Sequence, residues 1–392
     1  MLFLKRGIYL KVQVIASTKK GFNLTKEDAI DFSGKAAGIC YMPGTIEDLF
    51  EEDVVKTEKR AARTLKSGHH SVFDHPTYNL ILVDIPKILA MILNNEGMYT
   101  TSEKSARYTK MKLDNKEKDL YEKWIEIYSN QINKIYPEIE EKQVLKLAQE
   151  NARYLISIFT PSTTMEYTVS FRQINYILHW FKDIIETDTE DEFTLLLKPH
   201  LKEFVDQLSE LYVPELNTVV KKRKISLFDE RKSRAEEFGE NYCTTYTGSF
   251  AEFAQAQRHR TLQYKIRLLD NAQYYIPPII NDDENLKQEW LKDISSLEEN
   301  YPQGMLINII ERGTVENFVL KCKERLCGCA QLEIMLQTKE ILDKYIEETK
   351  NTNPEVYEYL QEYSPGIRCK FKGWKCTEPC RWGSKYSLTR KI

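Results

Sequence analysis

The sequence predicts an α+β protein of about two domains, and three observations lead there. The chain has 392 residues, which at roughly 150 residues per domain is two or three domains. Hydrophobic residues make up 42% and charged residues 29%, enough apolar material for two cores in an ordinary globular composition. Short β-prone runs alternate with longer helix-forming stretches in both halves.

Residues 1 to 15 read as a strand, with Tyr9, Lys11 and Gln13 alternating against Leu10, Val12 and Val14. Residues 46 to 67 read as a helix stopped by Gly68. Residues 77 to 84 (TYNLILVD) form a buried-strand pattern. A helix follows with Pro86 in its first turn, Asp84 or Ile85 near its cap and Gly97 as its stop. Residues 114 to 158 are helical with a break at Pro137, 159 to 169 are extended, and 172 to 187 return to helix. A linker helix over about 198 to 212 leads to the second half. There Ser249 and Glu252 offer a capping box to a helix running into Arg258. Residues 304 to 310 read as a strand, 315 to 348 as a long amphipathic helical region, and 364 to 383 as a tail rich in Cys, Gly and Pro. The expected domains are therefore 1–200, 215–348 and a tail over 349–392.

Composition narrows the function classes. No apolar run approaches the roughly 18 residues that span a bilayer. The N-terminal basic pair follows the apolar run and no cleavage site appears, so a cytoplasmic protein is expected. The net charge of -3 argues against a polynucleotide-binding surface, while leaving room for a few arginines around a small anion.

Two strings carry such arginines. Arg258-His259-Arg260 follows the helix that begins near Ser249, and Gln255 lies three residues earlier, on about the same face. Guanidinium groups bind phosphate oxygens in pairs. Equally, cations at a helix C-terminus favour the helix dipole without any ligand. In Glu103-Lys104-Ser105-Ala106-Arg107-Tyr108, an extended backbone puts Glu103, Ser105 and Arg107 on one side. That side offers an acceptor, a hydroxyl and a guanidinium suited to a nucleotide. A solvated polar loop is the simpler account.

The two strings resemble halves of one signature, that of the flavin-dependent thymidylate synthases (ThyX). That family carries Arg-His-Arg, seven residues, Ser, one residue and Arg-Tyr, with Glu two before the Ser. In the first half Asn95-Glu96-Gly97 occupies the Arg-His-Arg place, while Glu103-x-Ser105-x-Arg107-Tyr108 is intact. In the second half Arg258-His259-Arg260 is intact, while Leu268 replaces the Ser. Gly68 to His75 resembles an early family string, and Asn151-Ala152-Arg153 with Pro161-Ser162-Thr163-Thr164 its mid-chain arginine region. Ser170-x-Arg172 is similar to an Asn-x-Arg flavin contact, and Thr314-x-Glu316 has lost it. Arg325, followed by Ala330-Gln331-x-Glu333-Ile334, resembles the family's late arginine, where the first half has Phe181.

The resemblance implies two fused ThyX-like copies, each a mainly antiparallel sheet flanked by helices, with complementary losses and one composite nucleotide site between them. It implies methylation of deoxyuridine monophosphate (dUMP) at uracil C5, with FAD as cofactor and methylenetetrahydrofolate and NADPH as co-substrates. Arg325 and Ser105 would be catalytic. Gln255, Arg258, Glu103, Ser105, Arg107, Tyr108 and Arg153 would bind substrate. His75, Arg258, His259, Arg260, Arg172 and Glu103 would contact the flavin. A homodimer would rebuild the family's tetramer, with neither membrane nor nucleic acid as partner. A hydroxymethylating relative, or a nucleotide-binding homologue without flavin, would use the same pocket.

Six of the eight cysteines follow residue 320. Cys369, Cys376 and Cys380 have six and three residues between them, and Cys327 and Cys329 precede the Ala330-Gln331 run. Cys327, Cys369, Cys376 and Cys380 would suit a structural zinc, and a set of reduced thiols would need no metal.

Overall fold

The computed structural model describes residues 11–17, 24–39, 48, 51–67, 70–96, 98–104, 113, 115–189, 191–217, 226–228, 238–259, 261–376 and 380–392. Ser105, Arg107, Tyr108 and Arg260 of the expected site lie outside them. In chain order the elements are β1 (Lys11–Ser17), α1 (Lys26–Gly38), α2 (Val54–Ser67), β2 (Thr77–Pro86), α3 (Lys87–Leu93), β3 (Tyr99–Glu103), α4 (Asn115–Ile135), α5 (Glu141–Ala152), β4 (Pro161–Ser170), α6 (Phe171–Glu186) and α7 (Glu192–Gln207). Then come β5 (Asn241–Ser249), α8 (Phe250–Ala256), β6 (Gln263–Leu268), α9 (Glu284–Ser295), β7 (Leu306–Thr314), α10 (Val315–Arg325), α11 (Leu332–Thr352) and α12 (Pro354–Gln361). The fold is α+β, as the sequence predicts. Among the described residues no helix is long and apolar enough to cross a membrane.

The chain divides into two compact units. One comprises Met1–Ser105 and Phe159–Lys224, the other Ala106–Ile158 and Ile225–Ile392. Helices α4 and α5 thus belong to the unit of the second half, although they interrupt the first half in sequence.

The first unit holds an antiparallel sheet in the order β1-β2-β4-β3. Tyr78, Leu80 and Leu82 of β2 pair with Val169, Tyr167 and Met165 of β4, and all six are buried, so the period of two fixes one core face. Strand β2 extends beyond the expected end to Pro86. Asp84 sits at φ 53°, where the register shifts between Leu82 and Ile85, and Pro86 itself caps α3. Ile88 through Leu93 are all buried, and α3 stops at Asn94, short of Gly97. The Ser170 hydroxyl accepts from the Gln173 amide and caps α6. Asn175 in α6 clamps the following chain: its Nδ2 donates to the Leu211 carbonyl at 3.1 Å and its Oδ1 accepts from the Val213 amide at 2.7 Å. Helix α7 begins at Glu192 and packs on α6, so it is part of this unit rather than a linker.

The second unit repeats the plan. Its sheet runs β5-β7-β6, and β7 is antiparallel to both neighbours. In each unit a strand leads into a short helix and a second strand, and a later third strand inserts between them and leads into a capped helix. Thr314 caps α10 where Ser170 caps α6. Strand β7 runs to Thr314, past the expected 310, and the helical region after it consists of α10 and α11. The core gathers Trp124 and Tyr128 of α4, Ala148 of α5, Tyr154 and Trp290. The Trp124 and Trp290 rings meet edge to face at 4.8 Å between centroids.

Candidate functional site

In the second unit the site is built on α8. Ser249 Oγ accepts from the Glu252 amide at 3.0 Å, which is half of the expected capping box. The reciprocal half is absent: both Glu252 carboxyl oxygens are buried with no hydrogen-bond partner. Burial pushes the Glu252 carboxyl up to about 8, against the opposing pull of Lys321, so it is mostly a neutral acid at pH 7. Every residue of α8 is buried, including Gln255. Arg258, one turn on, is exposed, so Gln255 and Arg258 diverge instead of sharing a face.

His259 turns back inward. Its Nε2 accepts from Arg325 Nε at 2.7 Å, and Arg325 Nη2 reaches the Gln255 carbonyl at 3.3 Å. A guanidinium only donates, so this imidazole is neutral with its proton on Nδ1. Burial pushes His259 down to about 2, with Arg325 and Lys321 adding to the effect.

Gln331, immediately before α11, joins these groups to the middle of the chain. Its Oε1 accepts from Arg153 Nη2 and from Gln255 Nε2, and its Nε2 donates to the Tyr154 hydroxyl. Tyr154 donates in turn to Glu333 Oε2 at 2.7 Å. Glu333 also accepts from the Ser249 amide at 2.9 Å and hydroxyl at 2.7 Å. Arg153, Tyr154, Ser249, Gln255, Gln331 and Glu333 are all buried, so an unmet bond at any of them would be costly. Beneath lies a buried ion pair, Lys321 Nζ to Glu311 Oε2 at 2.6 Å, completed by the Tyr242 hydroxyl at 2.7 Å from Glu311 Oε1.

Of the expected residues, Arg153, Gln255, His259 and Arg325 thus come together, with Arg258 at their edge. Gln331, Tyr154 and Glu333 were not expected as site residues. The sequence marks the Ala330-Gln331-x-Glu333 run only as context for Arg325.

The remaining expected residues lie in the first unit. Glu103 Oε1 accepts from Lys87 Nζ at 2.5 Å and from Thr163 Oγ1 at 3.0 Å, with its side chain almost fully buried. His75 is exposed. Arg172 is ion-paired with Asp74 at 2.8 Å. A cleft of about 780 Å³ is lined by His70, Asp74, Glu96, Tyr99, Arg172 and Gln173 among others. It includes Glu96, from the place where the signature would have Arg-His-Arg. Arg172 is the single arginine or lysine among its described lining residues, and it is paired with Asp74.

The cysteines of the tail gather beside the turn at 326–330. The Cys329 thiol lies within hydrogen-bonding reach of Cys327 and Cys380, and Cys369 neighbours Cys376, Cys327 and Cys380. None of these described cysteines is in a disulfide. Among the described residues no group of three or more His, Cys, Asp or Glu side chains is placed, as it stands, to hold a metal ion.

Residues 25–208 match the sequence model of the family described as Thy1, thymidylate synthase complementing protein. The Thy1 match spans β2, α3, β3, β4 and α6, the plan that the second unit repeats. No curated protein matches the chain. Among solved structures the chain is similar to a UMP/dUMP methylase, PolB, from Streptomyces cacaoi bound with 5-Br dUMP, at 15% identity and a TM-score of 0.34, over 53% of this chain and 92% of that one.

Proposed function

We propose that the chain is an FAD-dependent thymidylate synthase that methylates dUMP at uracil C5. The Thy1 match over residues 25–208 supports an enzyme acting on dUMP. The observation that carries the finer reading is the Gln331 bridge. It holds Arg153, from the segment matched by Thy1, against Gln255, from the repeated half, within one compact unit. In this reading complementary residues of two copies make up one site.

In this reading Arg153 and Arg258 take the phosphate, since paired guanidinium forks suit its oxygens. Gln255 orients the nucleotide. Arg325 faces the uracil, where a cation favours the ionised base and makes C5 more nucleophilic. Its Nε bond to His259 fixes the plane of the guanidinium. The carbon comes from methylenetetrahydrofolate, tetrahydrofolate departs, and the C5 proton is lost. FAD in its reduced form, when bound, supplies the hydride that completes the methyl group, and NADPH regenerates it. The exposed Arg258 and the neutral His259 imidazole are the described residues that fit a flavin's phosphates and ring. The loop from Ser105 to Tyr108 remains assigned to the nucleotide by its sequence alone. Two chains would form a homodimer, which a mass measurement at micromolar concentration tests: a stable monomer rules it out.

One observation favours a second reading. Arg172, assigned to the flavin by its sequence, is occupied by Asp74. A nucleotide-binding protein without flavin, or one that leaves a hydroxymethyl group on C5, would tolerate that.

The test is the visible spectrum of the purified protein with and without added FAD, followed by titration of dUMP. Flavin bands that shift on adding dUMP, together with formation of thymidylate from methylenetetrahydrofolate and NADPH, are expected. A colourless protein that takes up no FAD overturns the enzyme. If dUMP still binds, and binding is lost in Arg258→Ala, the second reading stands.

A further inference from the structure

We propose that the second unit carries a structural zinc site with four thiolate ligands, Cys327, Cys329, Cys369 and Cys380, which staples the tail to the turn leading into Gln331. This is independent of the reaction assigned above.

Cys327 and Cys329 lie on one tight turn between α10 and α11. The Ala330 amide donates to the Cys327 carbonyl at 2.9 Å, and the Cys329 amide points at Cys327 Sγ at 3.4 Å. An amide aimed at the sulfur two residues earlier orients that sulfur, the kind of outer contact that positions a metal ligand. Arg390, near the chain end, closes the turn from outside by donating to the Gly328 carbonyl and, at 2.6 Å, to the Ala330 carbonyl.

Two further segments bring the remaining sulfurs. The Arg368 amide donates to the Leu326 carbonyl at 2.7 Å, which docks Cys369 beside the turn. Cys380 approaches Gly328 so closely that a Cβ there would lie 2.7 Å from Cys380 Sγ and 2.7 Å from Ser387 Oγ. A larger residue at 328 would push that sulfur away from Cys327 and Cys329. The result is sulfurs from three chain segments in one place, with Cys329 in reach of Cys327 and Cys380, and Cys369 neighbouring the same two. They are gathered but not closed on a common point. A divalent ion would close them, displacing the thiol protons. A closed tetrahedron takes four of the five sulfurs; Cys327 and Cys329 come as a pair on one turn, so Cys376, a neighbour of Cys369, is the one left out.

Zinc is chosen because it takes four thiolates in a closed tetrahedron and needs no electron transfer. The ion would fix the turn whose last residue precedes Gln331, and so the orientation of the Gln331 amide.

The experiment is metal analysis of the full-length untagged protein, purified without chelator under reducing conditions. About one zinc per chain is expected, as a closed structural site requires. A mercurial titrated into the wild-type protein should release it, and removal should lower the melting temperature. Cys327→Ser and Cys380→Ser should lose the zinc, while Cys376→Ser and Cys243→Ser keep it. Less than about a tenth of an equivalent of any metal, even after incubation with zinc, overturns the site. Iron with acid-labile sulfide overturns the zinc assignment. Loss of zinc in Cys376→Ser but not in Cys329→Ser overturns the ligand set.

Discussion

Arg325 donates its Nε hydrogen to Nε2 of His259 at 2.7 Å, across 66 residues of sequence. The bond fixes two things together: the plane of a guanidinium and the tautomer of a buried imidazole. Arg325→Lys keeps the charge but loses the planar fork. It is expected to lower turnover about a hundredfold, the scale of losing one preorganised electrostatic group. Steady-state kinetics with dUMP check this, and a variant within a factor of two of wild type would remove Arg325 from the mechanism.

The same burial makes His259 a source of acid instability. Its pKa falls to about 2 in the folded chain, against 6.5 unfolded, so the unfolded chain binds a proton that the folded one refuses. Stability tied to His259 is therefore complete above pH 6.5 and is lost as the pH falls below it. Buried His200, lowered by desolvation to about 4, acts in the same direction. Melting temperatures of wild type and His259→Gln, compared from pH 7.5 down to 5, should show wild type losing ground to the variant. Parallel curves would mean that the imidazole is protonated in the folded protein.

Glu252 has the opposite sign. Its folded pKa of about 8 lies above the unfolded value of 4.5, so the folded chain holds the proton more tightly. The associated stability is present below pH 4.5 and is lost as the pH rises through 8, at up to about 1.4 kcal/mol per pH unit. Glu252→Gln should flatten the decline between pH 6 and 8.5. Chemical denaturation at the two ends of that range measures it, and an unchanged slope counts against the neutral acid.

Gln331 is the group on which Arg153, Gln255 and Tyr154 converge. Gln331→Leu leaves three buried polar groups without that partner. It should cost about 1–3 kcal/mol for each one that cannot find another. Because Arg153 and Gln255 lose their common anchor, dUMP binding should also weaken about tenfold or more, a judgement from the non-additivity of such networks. Calorimetric titration at a temperature where the variant remains folded separates the two effects, and wild-type affinity would leave Gln331 as scaffold alone.

The Lys321–Glu311 pair is fully buried. Lys321→Met strands a carboxylate and should cost about 3–5 kcal/mol, whereas Lys321→Met with Glu311→Gln should cost less than that single change. Urea unfolding of both variants decides this, and a double variant weaker than the single one would contradict it.

Much of the local structure was legible in the sequence, because it is set by residues a few positions apart. The buried alternation of β2, the Ser249 cap and the helix after Ser170 depend on neighbours within about four positions. Strands β5 and β6 gave no such signal. The inward positions of β5 are Tyr242, Thr244 and Tyr246, which read as polar until Glu311 is seen to bond the two tyrosines. Glu252 reads as half of a capping box, and only burial by the surrounding fold leaves its carboxyl without a partner.

The sequence by itself determined the mixed α+β class, the placing of Arg258, His259 and Arg325 in one half and Glu103 in the other, and the clustering of cysteines near the end. Tertiary structure alone decided which of these groups meet. Arg153 and Gln331 are 178 positions apart, and they touch because α4 and α5 fold into the unit of the second half. Long-range packing of buried side chains sets such contacts, and no periodicity along the chain encodes them.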